Sequence, residues 1–186
     1  HRVVIFSAMA SGKSIITNLS QGQDVISTLV IMHKLGASIL TKDRKIIIGG
    51  MGYKGFKIPS SNLDCGNSGT SARLIAGLLA AQDFKSTLVG DSSLSNRPMK
   101  RVIEPLKKMG VEFQVNQSFT LPFTIVPKSQ IHPIIYEMQM ASAQVKSSIL
   151  IAGLYCDEVT TVIENERTRD HTEKMLGLPV RFENEK

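Results

Sequence analysis

Apolar positions recur along the chain in two alternating registers. Arg2 to Ala10 is an apolar run of helical length, and Lys13 to Thr17 is short and strand-like. Asp24 to Leu35 has helical spacing, with Asp24 as its expected cap and Gly36 as its stop. Ala37 to Leu40 and Lys45 to Ile48 read as two strands joined by Thr41-Lys42-Asp43. Met51 to Asn62, rich in turn formers, reads as a connection. The same order then returns. Leu63 to Cys65 is a strand, Thr70 to Ala81 a helix and Ser86 to Val89 a strand. Pro98 to Met109 is a helix with Met99, Val102, Ile103 and Leu106 on one face, Pro98 in its first turn and a kink or early break expected at Pro105. Val111 to Val115 and Phe119 to Val126 follow as strands. A third round has strand Pro133 to Met138, helix Ser142 to Leu154, strand Thr160 to Ile163, helix Asp170 to Leu176 and strand Val180 to Phe182.

The recurrence has a fixed period. Asp24, Arg97 and Asp170 open the second helix of each round at a spacing of 73 residues. Arg2, Arg73 and Lys146 stand near the start of each first helix, at spacings of 71 and 73. Order and spacing together predict an α/β (α+β) fold of three repeated βαβαββ units, about 1–52, 53–130 and 131–186, sharing one core within a single domain, 1–186. The first unit lacks its opening strand and the third is shorter than the second.

Composition narrows the function. The net charge is +6, without long basic blocks, and the chain has no Trp and only three Tyr. Single-stranded nucleic acid would call for more aromatic platforms, so small polyanionic ligands fit the charge better than nucleic acid does. No stretch approaches the length of a membrane span. Arg2-Val3-Val4-Ile5-Phe6 lacks the pattern of a signal peptide, and a start on His1 suggests a fragment or processed form. Two cysteines, Cys65 and Cys156, give no disulfide framework, which suits a reducing cytoplasm.

Candidate chemistry gathers at helix starts. Cys65-Gly66-Asn67-Ser68-Gly69-Thr70-Ser71-Ala72-Arg73 runs from a strand into a helix, with Ser68, Thr70 and Ser71 as candidate caps. Unpaired N–H groups at such a start suit a phosphate or carboxylate, and Arg73 adds a full charge one turn in. Gly90 to Pro98 is a polar loop ending in Arg97, whose fork can grip an anion bidentately. Ser142, Gln144 and their neighbours open the third unit's first helix. Arg167 to Lys174 combines two Arg, a His and capping residues, but His171 and Glu173 lack the spacing of a helical metal pair, and no metal site is expected. Ala10-Ser11-Gly12-Lys13-Ser14 is no phosphate-binding P-loop, because Ser7 stands where that motif needs Gly and the strand follows rather than precedes it.

Four stretches in order resemble the EPSP synthase family: Leu63 to Thr70, Gly90 to Met99, Ser142 to Ser147 and Thr168 to Leu176, with His1-Arg2 resembling the end of an N-terminal Lys-Ser-x-x-x-x-Arg segment. The resemblance covers essentially this whole chain but only the N-terminal half of the family's length. It implies one of two similar domains, each of three βαβαββ units about a pseudo-threefold axis, with the active site between them. It implies that Arg2, Ser142, Ala143, Gln144 and Thr168 contact shikimate 3-phosphate. Asn67, Gly69, Thr70, Arg97 and Gln144 would line the phosphoenolpyruvate site, which glyphosate occupies in the family. Gly69 resembles the inhibitor-sensitive form. The implied reaction joins phosphoenolpyruvate to the 5-hydroxyl of shikimate 3-phosphate and needs no metal or organic cofactor. The family's Lys and Ser before His1 are absent. Its acid/base residues, which lie in the other domain, cannot be named in this chain, so the isolated chain is expected to be a monomeric binding domain with little or no turnover. Two rival readings are the related enolpyruvyl transferase acting on UDP-N-acetylglucosamine, whose Arg-Pro loop carries a Cys absent from Gly90 to Pro98, and a non-catalytic anion-binding module.

Overall fold

The computed structural model describes residues 1–128 and 130–182. Its first round comprises α1 (Arg2–Met9), β1 (Ser11–Thr17), α2 (Gln23–Lys34), β2 (Ser38–Lys42) and β3 (Lys45–Met51). The three strands form an antiparallel sheet in the order β1-β3-β2, with Ile39 and Ser14 both opposite Ile48. The second round comprises β4 (Leu63–Asp64), α3 (Gly69–Leu79), β5 (Ser86–Val89), α4 (Ser92–Ser95), α5 (Lys100–Lys108), β6 (Glu112–Val115) and β7 (Phe123–Val126). Its sheet runs β4-β5-β7-β6, so β5, β7 and β6 repeat the order of β1, β3 and β2, and β4 joins in parallel at the edge. The third round comprises β8 (Ile135–Met138), α6 (Ala143–Gly153), β9 (Thr161–Glu164) and α7 (His171–Leu176), with β8 and β9 parallel. Among the described residues no helix is long and apolar enough to cross a membrane.

The first helix of each round lies inside. In α3, Gly69, Ser71, Ala72 and every residue from Leu74 to Leu79 are buried, leaving Thr70 and Arg73 at the margin. A helix apolar on nearly all sides has no stable place except between other elements. α3 packs on α6 so closely that a Cβ placed on Gly77 would stand 2.2 Å from the Ser148 carbonyl oxygen. α6 carries a buried polar face as well: Lys146, Ser147 and Ser148 are all buried. Lys146 Nζ lies 2.6 Å from Glu164 Oε2 and 2.5 Å from Glu173 Oε1, which neutralises a charge that could not otherwise be taken from water.

Several local expectations are corrected. α2 is capped by the backbone of Gly22, and Asp24 lies within its first turn without a capping bond. The β2–β3 turn is made by Asp43 and Arg44, both at positive φ. Pro98 precedes α5, whose N-cap is Met99, and Arg97 lies between α4 and α5 rather than opening a helix. α5 does not break at Pro105 but continues to Lys108; the proline sits buried on the inner face, where its ring packs in place of the hydrogen bond it cannot donate. Phe119 is not in a strand: it has φ 53° and its carbonyl accepts from the Met99 N–H at 2.8 Å. The ladder of β7 begins only at Phe123, past Pro122, which has no N–H to give it. Val180 to Phe182 form no strand: Val180 and Phe182 are exposed after Gly177 ends α7 in a left-handed cap.

Candidate anion-binding site

The starts of α3 and α6 lie side by side. Ser68 caps α3, its Oγ accepting from the Ser71 N–H at 3.1 Å, and Ser142 caps α6, accepting from Val145 N–H at 3.4 Å. Gln144, in the first turn of α6, ties the two helices together. Its Nε2 donates to Thr70 Oγ1 at 2.9 Å, and its Oε1 accepts from Arg73 Nη1 at 2.9 Å. Arg73 also donates to the carbonyls of Gly69 (3.2 Å) and Pro98 (3.3 Å), which fixes the loop before α5 against α3.

Ala141, Ser142, Ala143, Gln144, Thr168 and Arg169 line an open cavity of about 310 Å³. Four of the five residues expected to contact shikimate 3-phosphate therefore line one cavity, three from the start of α6 and Thr168 from the connection between β9 and α7. The fifth, Arg2, reaches the same helix start from α1: Nε donates to Thr172 Oγ1 and Nη2 to Ser147 Oγ, both at 2.8 Å, and Nη2 touches the Ala143 carbonyl at 3.5 Å. Thr168 Oγ1 donates to Glu164 Oε1, so the pair of buried Lys146 and half-buried Glu164 holds one residue of the cavity lining.

The residues expected around phosphoenolpyruvate gather at the start of α3. Arg97 Nη2 donates to Asn67 Oδ1 at 2.5 Å and to Ser93 Oγ at 3.3 Å. A Cβ on Gly69 would lie 2.6 Å from Arg73 Nη1 and 3.5 Å from Arg97 Nη1, so this glycine leaves room beneath two guanidinium groups. Thr70 is joined to the first cluster through Gln144, which borders both.

Positive charge crowds both clusters. Burial lowers the Arg73 pKa, and the neighbouring Arg97 and Arg101 lower it further. Burial also lowers that of Arg2, with Arg169 adding to the effect and Glu173 opposing it. Among the described residues, no salt bridge to a carboxylate forms at Arg2, Arg73, Arg97 or Arg169. Like charges held together beside two helix N-termini lower their mutual repulsion when an anion enters. Among the described residues no group of His, Cys, Asp or Glu is arranged to hold a metal ion.

Arg73, expected to add charge at the start of α3, and Arg169 both belong to this arrangement, although the resemblance assigns neither to a substrate. Arg73 carried a signal, its recurrence with Arg2 and Lys146. Arg169 lies within the family-like stretch Thr168 to Leu176, whereas the neighbouring exposed Arg167 lies outside it and pairs with Asp170 at 3.9 Å. The three recurring cations do different things: Arg2 and Arg73 reach across to α6, whereas Lys146 is neutralised within its own round.

Residues 1–182 match the family model for EPSP synthase (3-phosphoshikimate 1-carboxyvinyltransferase). The chain is 47% identical over 176 residues to the 3-phosphoshikimate 1-carboxyvinyltransferase of Syntrophomonas wolfei, a stretch covering 95% of this chain and 41% of that protein. It is 49% identical over 177 residues to that of Streptococcus equi, covering 95% and 42%. The solved structure of EPSP synthase from Acinetobacter baumannii superposes with a TM-score of 0.92 at 46% identity, covering 95% of this chain and 40% of that one. The chain thus spans about two fifths of the length of these relatives. On this match over nearly its whole described length, the chain belongs to the EPSP synthase family.

Proposed function

We propose that this chain is the shikimate 3-phosphate-holding domain of a two-domain enzyme that transfers a carboxyvinyl group from phosphoenolpyruvate to the 5-hydroxyl of shikimate 3-phosphate. In this reading residues 1–186 form one domain of three units, and a second domain of the same enzyme closes over it, working as a monomer in the cytoplasm. The observation that carries it is the crowding, around two adjoining helix starts, of guanidinium groups without a carboxylate partner among the described residues.

Arg2, Ser142, Ala143, Gln144 and Thr168 hold shikimate 3-phosphate, with Arg169 at the rim of the same cavity. Hydroxyl and amide groups bind the sugar-like ring, and the cations hold its phosphate and carboxylate. Asn67, Gly69, Thr70, Arg97 and Gln144 hold phosphoenolpyruvate, with Arg73 behind them; glyphosate competes there. The reaction protonates the double bond of phosphoenolpyruvate at its terminal carbon while the 5-hydroxyl oxygen adds to the adjacent carbon and loses its proton. The resulting tetrahedral adduct then gives up inorganic phosphate and a proton as the new double bond forms. Within this chain, Arg97 and the start of α3 stabilise charge on the departing phosphate, and Gln144, bonded to both Thr70 and Arg73, keeps the two substrates in register. The groups that move the protons are assigned to the other domain.

Titration of shikimate 3-phosphate into the chain, followed by backbone amide shifts with inorganic phosphate as control, tests the reading. Saturable shifts at Ser142, Gln144 and Thr168 beyond those from phosphate are expected. Shifts no larger than those from phosphate, both in the chain and in the full-length protein, would reject it.

A further inference from the structure

The polar loop between β5 and α5 contains a helix of one turn, α4, whose N-cap Asp91 faces two ways. Its Oδ1 accepts from the Leu94 N–H at 2.7 Å, closing α4, and its Oδ2 accepts from Asn67 Nδ2 at 2.8 Å. On the other side of the amide, Asn67 Oδ1 accepts from Arg97 Nη2 at 2.5 Å. The loop is anchored where this matters, because the Asp91 N–H donates to the Gly66 carbonyl at 2.9 Å, next to Asn67. The Leu94 N–H, and after it the Asn67 amide, hold the Asp91 carboxyl below the usual carboxylate range, so the group is an acceptor at both oxygens at neutral pH.

The chemistry of the three groups leaves one orientation for the amide. An ionised carboxylate only accepts and a guanidinium only donates, so Asn67 must turn its NH2 to Asp91 and its oxygen to Arg97. Arg97 Nη2 is then occupied, while Nη1 faces the start of α3 beside Gly69 and meets no hydrogen-bond acceptor among the described residues. We infer that Asp91 is a positioning residue for Arg97: acting through the Asn67 amide, it aims the free edge of the guanidinium at the anionic group of phosphoenolpyruvate. The inference rests on the reading of Arg97 as a phosphoenolpyruvate contact.

The isosteric amide is then a worse replacement than a smaller hydroxyl. In Asp91→Asn, the side-chain oxygen still caps α4, but its NH2 now meets the NH2 of Asn67. Asn67 turns over and presents its own NH2 to Arg97, donor against donor. In Asp91→Ser the cap is also kept, and Asn67 is merely released. The test uses the full-length enzyme carrying this chain, as Asp91→Asn, Asp91→Ser, Arg97→Ala and the Asp91→Asn/Arg97→Ala double variant. Steady-state kinetics are measured against each substrate with the other saturating, alongside thermal melts.

The expected result is a rise in KM for phosphoenolpyruvate of about tenfold in Asp91→Asn and about threefold in Asp91→Ser, in line with loss of a charge-assisted hydrogen bond. KM for shikimate 3-phosphate and the melting temperature stay near those of the parent, and Asp91→Asn adds nothing further on the Arg97→Ala background. A cap without a positioning role predicts no difference among Asp, Asn and Ser. Asp91→Asn no worse than Asp91→Ser, or an effect that persists without Arg97, would overturn the inference while leaving the site reading intact. If Arg97→Ala leaves KM for phosphoenolpyruvate unchanged, the site reading itself fails, and the inference with it.

Discussion

Gly77→Ala separates two physical effects of opposite sign. In the middle of a helix, alanine is favoured over glycine by about 1 kcal/mol, so propensity alone predicts a more stable protein. The neighbourhood of Gly77 predicts the reverse. The added Cβ would lie 2.2 Å from the Ser148 carbonyl oxygen, 2.8 Å from its carbon and 2.9 Å from its Cα, all backbone atoms of α6 that no rotamer change can move aside. Restoring ordinary contact requires α3 and α6 to part by roughly 1 Å, a gap that forfeits a quarter to a half of the dispersion energy of each contact across it. Overpacking of this kind costs about 3 kcal/mol at the upper end of its usual range. The net expectation is a loss of about 2 kcal/mol, which lowers the urea midpoint by roughly 1 M. Urea unfolding followed by far-ultraviolet circular dichroism measures it. Because α6 carries Ala143 and Gln144 in its first turn behind the cap Ser142, the same variant should bind shikimate 3-phosphate more weakly in the amide-shift titration. An unchanged or raised midpoint would refute the close-packing argument.

Other substitutions test separate features. Gly69→Ala should lower the affinity of the full-length enzyme for both phosphoenolpyruvate and glyphosate by about tenfold in fluorescence titrations, because the new methyl displaces Arg73 and stands under Arg97; unaltered glyphosate binding would reject the pocket assignment. Lys146→Met leaves Glu164 and Glu173 without their shared cation and should cost about 3–5 kcal/mol in urea unfolding. Replacing both glutamates by Leu in that background should restore much of the loss; no recovery would show that the charges are not its cause. Burial, with Asp64 adding to it, pushes the Cys65 thiol up to about 12, so the native protein should leave Cys65 unmodified by a thiol-disulfide reagent at pH 8 while the denatured chain reacts fully. Rapid native labelling of Cys65, located by peptide mapping, would contradict that burial.

The parts of this molecule that are legible in its sequence are those written in local periodicity. α1, α3 and α6 follow from runs of small and apolar residues that each come after a capping or charged start, and the repeat follows from the spacing of Arg2, Arg73 and Lys146. What escapes are features decided by single residues or by distant partners. The turn α4 is too short to show a helical period. Pro105 looks like a breaker because its cost is local, while the burial that compensates for it is tertiary. Phe119 continues an apolar and β-branched run, yet its carbonyl is claimed by the loop before α5. In the site, the motif residues could be named, but not the bonds that join them: Gln144 meets Thr70 and Arg73 across more than seventy residues, and only its place in the Thr168 to Leu176 stretch sets Arg169 apart from Arg167.

The bonds from Arg2 to Ser147 and Thr172 also set a schedule for synthesis. Arg2 meets Thr172 only after some 170 further residues have been made, which takes roughly 10–30 s at ordinary elongation rates. For that interval α1 has α2 and β3 to pack on while Arg2 lacks its partners on α6 and α7, and α3 keeps the apolar face that α6 will cover open until α6 is made. The contacts between rounds are therefore made last, and the growing chain depends in the meantime on whatever shields the inner face of α3.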